Sequence, residues 1–230
     1  MAKYLAGNLA GMISGKVGNI VFSHGRYGPI IRTRVKPVIT TSSFTEGTRN
    51  KLTQCSQAWA ALTENAKLAW NTWAQSNPIT DRLGTSQTLS PHAAYNQINC
   101  RRLIYPGTLS SAPPIGSNPA ALTGATVTYD IGAGDVAITC APFPFPANCT
   151  PWVEAAVTNS AGIRYTKNLR KFIGYNTNNN VNPFVIQAIT EARFGTLIVG
   201  QTLHLWIYMY DSATGLLSAP LYKSGLIVTT

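Results

Sequence analysis

Thr202-Leu203-His204-Leu205-Trp206-Ile207-Tyr208-Met209-Tyr210 reads as a β-strand with two unlike faces. Side chains alternate along a strand, so Leu203, Leu205, Ile207 and Met209 project one way, and His204, Trp206, Tyr208 and Tyr210 the other. The aromatic side could serve as a binding surface or as the second covered side of a central strand. The second reading is favoured, because large rings at strand spacing are usually core.

Six further β-prone runs surround this one: 125–129, 136–140, 152–158, 163–169, 184–188 and 225–228. Clusters of Gly, Asn, Asp and Pro separate them. About seven short strands in about 110 residues predict an antiparallel β-sandwich over 121–230, of immunoglobulin or fibronectin-III type. Upstream lies YPGTLSSAPPIGSNPA, residues 105–120, which has no periodicity and the composition of a linker. Residues 44–104 read as a module of three helices. Leu52, Cys55, Trp59 and Leu62 recur at i, i+3, i+7 and i+10, one apolar stripe. Thr63 is a good N-cap for a second helix, with Glu64 in the first turn, Ala66, Trp70 and Trp73 on one side, and an end near Asn77-Pro78. Ser90-Pro91 starts a third helix, and Arg101-Arg102 sit in its last turn. The tryptophans are read as core rather than as stacking platforms for bases or sugars.

Residues 1–43 differ from both regions. The first forty carry six basic side chains and no acid: Lys3, Lys16, Arg26, Arg32, Arg34 and Lys36. Glycines are frequent among them. Such a segment cannot bury a core by itself, since cations stay hydrated and glycine loses the most backbone entropy on ordering. It predicts an extended basic arm, with a loose hairpin from the β-prone runs 19–23 and 30–35, ordered on a partner. Arg32 and Arg34 share one face of the second run, while Ile31, Thr33 and Val35 take the other. The candidate partner-binding residues are Lys16, Arg26, Ile30, Ile31, Arg32, Arg34, Val35 and Lys36. The competing reading is an edge hairpin packed on the protein's own body.

Overall the chain reads as α+β and multidomain. Charged residues make up only 11% of it, while the net charge is +10. Residues 1–104 hold twelve basic and three acidic side chains; residues 105–230 hold six and five. Low charge suits a surface covered by neighbours, and the asymmetry turns the N-terminal half toward an anionic partner. The start, MAKYLAGNLAGMISG, is broken by Gly7, Asn8 and Gly11 before an apolar signal stretch accumulates. A cytoplasmic origin with reduced thiols is therefore expected, and no membrane partner. Four cysteines and three histidines lie far apart without ligand spacing, which argues against zinc or any other cofactor. The eight acids are not paired for glycosidase or metal chemistry. Gly15-Lys16-Val17-Gly18 is similar to the end of a phosphate loop, but it lacks the upstream glycine and the following Ser or Thr. Cys149 with His204 is the remaining nucleophile pair to test, and separate structural roles are the expected answer. The chain is expected not to be an enzyme.

Two stretches carry a resemblance. One is Gly15-Lys16-Val17-Gly18-Asn19-Ile20-Val21-Phe22-Ser23, followed by Tyr27-Gly28 and Arg32; the other runs from Trp59 through Leu62-Thr63 to Trp70 and Trp73-Ala74. Together they resemble a loosely defined group of uncharacterised virion structural proteins of tailed bacteriophages and prophages. The resemblance covers about the first hundred residues and marks no chemistry. It implies a virion structural role, capsid-associated as a decoration or cement protein, with neck or tail as the nearest variant. The implied partners are the major capsid protein or other virion subunits, with homo-oligomers in the assembly. A nucleic-acid-binding protein using the basic arm is the alternative, and a carbohydrate-binding or adhesin module the third reading.

Overall fold

The computed structural model describes residues 2–3, 14–25, 28–35, 42–80, 86–132, 135–160, 162–163, 166, 168–176 and 181–229. Residues Met1–Glu46 form one compact unit and Gly47–Thr230 a second. The chain is mixed α and β, and its sheets are antiparallel.

In the first unit the hairpin expected from the runs 19–23 and 30–35 forms, as two strands of a larger sheet. Strands β1 (Ala2–Lys3), β2 (Gly15–Val17), β3 (Ile20–Gly25) and β4 (Gly28–Thr33) make a four-stranded sheet in the order β1-β4-β3-β2. The local reason is the Gly18-Asn19 turn between β2 and β3. Gly18 has φ +55°, the first-position conformation that a II′ hairpin turn reserves for glycine. The stretch that is similar to a phosphate loop is therefore a strand and its turn.

Helix α1 (Ser43–Ala60), which belongs to the second unit from Gly47 onward, is followed there by α2 (Glu64–Ser76) and α3 (Pro91–Ile104). A two-strand ribbon, β5 (Ile79–Thr80) with β6 (Ser86–Gln87), lies between the last two. Thr63 Oγ1 accepts from the Ala66 amide at 3.3 Å, and Ser90 Oγ from the Ala93 amide at 3.2 Å, so both caps form where they were read. Cys55, Trp70, Ala74, Ala94, Tyr95 and Ile98 are the buried centre, with Trp59, Leu62 and Trp73 packed against them. Leu52 leaves the expected stripe: it is 47% exposed, one turn beyond the end of this cluster.

Seven strands follow: β7 (Gly124–Thr128), β8 (Ala137–Ala141), β9 (Cys149–Thr158), β10 (Lys171–Tyr175), β11 (Phe184–Val185), β12 (Thr202–Asp211) and β13 (Leu221–Leu226). They form one sheet of order β10-β9-β12-β13 and another of order β11-β8-β7. Leu203, Leu205, Ile207 and Met209 of β12 share a core with Val153 and Ala155 of β9 and with Ile138 and Cys140 of β8. Two expected strands differ. The described residues within 163–169 make turns, and the strand forms later, as β10. The run 184–188 stops at Val185 and gives way to α4 (Gln187–Phe194), which presents Ile189 and Phe194 to the same core.

Tyr208 and Tyr210 on the other side of β12 are also covered. With Trp152 they form a second cluster, completed by Phe172, Tyr175, Trp206, Leu217 and, from the end of α3, Ile104 and Tyr105. A bulge between Phe172 and Gly174 turns both Phe172 and Tyr175 toward Trp152, at ring separations of 4.2 and 6.5 Å. Leu216, just past β12, belongs to the helical cluster. The segment 105–120, read as a linker, is tied to the helices. Trp70 Nε1 donates to Ser111 O at 2.8 Å, Ser110 N to Asn99 Oδ1 at 2.7 Å, and Arg102 Nε to Thr108 O at 2.9 Å. Helices and strands thus share one unit, with side chains satisfying the segment's backbone.

Gly225 of β13 sits against the Tyr129 ring, where a Cβ would overlap ring carbons. Gly225→Ala is expected to destabilise the protein by about 1–3 kcal/mol through overpacking. A urea midpoint unchanged from that of the wild type would show that Tyr129 swings aside freely.

Candidate interaction surfaces

The pleat of the N-terminal sheet sorts the sequence-predicted residues onto two faces. Lys16, Val21 and Arg32 are register partners across β2, β3 and β4, so they share one face, together with Ser23 and Ile30. Val17, Ile20, Phe22, Ile31 and Thr33 share the other. Lys16 and Arg32 are exposed and two strand spacings apart, about 10 Å. Ile30 and Ile31 are half-buried on opposite faces. Arg34 and Val35 lie just past β4 and are exposed, Val35 at 80%; the Arg34 amide donates to Asn19 O at 2.8 Å. Arg26 and Lys36 lie outside the described residues.

Among the described residues from 14 to 35, no side chain is buried. Among those residues the sheet therefore offers a face bearing Lys16 and Arg32 and a face of β-branched and aromatic groups, with no core between them. Chemically it can pair with carboxylates or phosphates and bury apolar surface.

The other chemistry-bearing place was not legible in the sequence. It is a cleft of about 320 Å³ in the second unit, between the α2 and α3 helices and the aromatic side of the β9–β12 pair. Glu154 of β9, Tyr208 of β12 and Arg170 just before β10 line one wall; Gln97 and Arg101 of α3 line the other. Arg170 Nε donates to Glu154 Oε2 at 2.6 Å, and its guanidinium lies over the Trp206 and Tyr208 rings at 5.4 and 5.9 Å. Tyr208 Oη lies 3.5 Å from the same carboxylate oxygen. Burial pushes the Tyr208 hydroxyl up and pushes the Arg101 guanidinium down; the attraction of Glu154 for Arg101 does not offset that burial. Arg101 stays charged all the same. Four separate elements supply these residues, so no local motif announces them. In the sequence Arg101 is visible only as a favourable last-turn cation.

Cys149 and His204 do not meet. Cys149 pairs with Asp211, while His204 lies seven residues back along β12, roughly 23 Å away. His204 is instead a buried polar residue, with Nδ1 2.7 Å from Tyr222 Oη and Nε2 3.2 Å from Thr158 Oγ1. Burial holds its pKa below the ordinary value, so it is neutral at neutral pH. Among the described residues, no three His, Cys, Asp or Glu side chains gather to hold a metal, and no helix is long and apolar enough to cross a membrane. No protein-family model matches the chain, and no curated protein matches it at a significant level.

Proposed function

We propose that this chain is a virion structural protein of a tailed phage, capsid-associated and of the decoration or cement kind. The basic N-terminal sheet attaches it to capsid or other virion subunits. The two-faced sheet over 15–33 carries the reading: it sets Lys16 and Arg32 on one side and Val17, Ile20, Phe22 and Ile31 on the other, with no buried residue among those described. A partner surface that supplies carboxylates and apolar groups would complete it. The low charge of the chain and the resemblance of its first hundred residues support the same reading.

Residues 121–230 then act as a fibronectin-III-like sandwich that tiles or projects from the particle. Strand order supports this: the first, second and fifth strands form one sheet, and the fourth, third, sixth and seventh the other.

Assembly and nucleic-acid binding make opposite demands on Arg32 and Arg34. Proteins that track single strands carry stacking rings beside their cations. Here the residues between the cations are Val21, Ser23 and Ile30. Replacing both arginines with alanine is expected to lower occupancy on purified particles about tenfold, read by quantitative mass spectrometry. Wild-type affinity for duplex DNA at physiological salt is expected to be no tighter than roughly micromolar and indifferent to sequence. Nanomolar, sequence-selective DNA binding, with normal incorporation of the double variant, would move the function to nucleic-acid binding.

A further inference from the structure

We propose that the cleft between α3 and the β9–β12 face is a binding site for a hydroxylated monocarboxylic acid of hexose size, a sugar acid. In it Arg101 holds the carboxylate. The inference is independent of the assembly reading, since every residue of the cleft belongs to the second unit.

The first argument is charge. Two guanidinium groups, Arg101 and Arg170, face the cleft with one carboxylate, Glu154. Arg170 has already taken that carboxylate, at 2.6 Å. Among the described residues, Arg101 has no ion pair within 4 Å and no side-chain hydrogen bond. The cleft therefore keeps one unbalanced, partly desolvated positive charge. A monoanion balances it. A phosphate dianion would overshoot that single charge, so a carboxylate fits better. The planar fork of an arginine also matches a carboxylate edge to edge.

The second argument is the remaining polar groups. The amides of Gln97 and Asn118 open on the cleft and, among the described residues, make no hydrogen bond within the protein. Each amide both donates and accepts, as a sugar hydroxyl does. Gln97 stands four residues before Arg101, on the same face of α3, so one ligand can reach both. The third argument is shape. Trp73, Ile79, Leu89 and Leu217 supply apolar wall for the C–H faces of a ring. A volume of about 320 Å³ is at the small end for ligand clefts and suits one monosaccharide unit rather than a chain.

Glucuronate, glucose and inorganic phosphate distinguish the elements of the proposal, titrated into the full-length protein by NMR or calorimetry. Glucuronate is expected to bind saturably with a Kd of about 1 mM, and glucose and phosphate at least about tenfold more weakly. Arg101→Gln should abolish glucuronate binding with the circular dichroism spectrum unchanged. Gln97→Ala and Asn118→Ala each should weaken it about threefold to tenfold; they carry the test if Arg101→Gln fails to fold. The proposal is overturned if glucuronate does not saturate below about 100 mM, if glucose or phosphate binds as well, or if folded Arg101→Gln keeps its affinity. Unchanged affinity in both amide variants would overturn it equally.

Discussion

Trp70→Ala is expected to lower the free energy of unfolding by about 4 kcal/mol, a large part of the roughly 5–15 kcal/mol that holds a typical domain folded. Trp70 is fully buried between Trp73 and Tyr95, at ring separations of 5.8 and 5.3 Å, both edge-on. Its loss opens a cavity in this packed cluster and removes the Nε1–H bond to Ser111 O at 2.8 Å. Trp70→Phe keeps most of the volume and loses that bond, so it should recover roughly half or more of the difference. The measurement is urea unfolding followed by near-ultraviolet circular dichroism. The same experiment bears on organisation. Leu216 from the β12–β13 connection is in the Trp70 cluster, and Tyr105 at the end of α3 lies 5.4 Å from Tyr210 of β12. Helical and sheet signals should therefore shift together in one transition. Two separate transitions, with only the helical one displaced by Trp70→Ala, would restore 105–120 as a boundary between independent folding units.

What was legible in the sequence, and what was not, follows from the range of the interactions. The caps at Thr63 and Ser90 were legible because a cap is decided by residues within one turn. The two faces of β12 were legible because alternation is local, and its aromatic side proved covered. Helix α4 was not: Ile186 stands at its N-cap position without a side-chain hydrogen bond, and the run from Phe184 to Ile189 is apolar and β-branched enough to read as strand. Only the shared core, which takes Ile189 and Phe194, decides for helix there. In the N-terminal segment the β3–β4 hairpin was legible from the β-prone runs 19–23 and 30–35, whereas its partner β2 was not. The pairing of Val17 with Ile20 across Gly18-Asn19 supplies a hairpin that composition does not show. Least legible was the cleft, because Gln97, Arg101, Asn118, Glu154, Arg170 and Tyr208 meet only once the helices lie on the sheet.

A further long-range meeting gives the second large effect. Cys55 of α1 and Cys100 of α3 are 45 residues apart, and their sulfurs lie 3.6 Å apart as free thiols. Burial, reinforced by Cys100, pushes the Cys55 thiol up to about 12, so it is not the group that attacks first at neutral pH. Oxidation must begin at the half-buried Cys100. Glutathione disulfide is a suitable oxidant. The Cys100 thiolate displaces one glutathione from it to form a mixed disulfide. Cys55 then displaces the second, and the two thiols have given two electrons and two protons to make two reduced glutathiones. The product closes a loop of about 45 residues. By the chain-entropy estimate this stabilises the folded state by about 4 kcal/mol, or roughly 10 °C in Tm for a unit of this size. The expected result is slow loss of two hydrogens by intact mass, accompanied by that rise in Tm. Cys100→Ser should show neither. If the wild type forms the cross-link and melts no higher, the bond strains the α1–α3 contact by as much as it restricts the unfolded chain, and the two helices are not positioned for a disulfide.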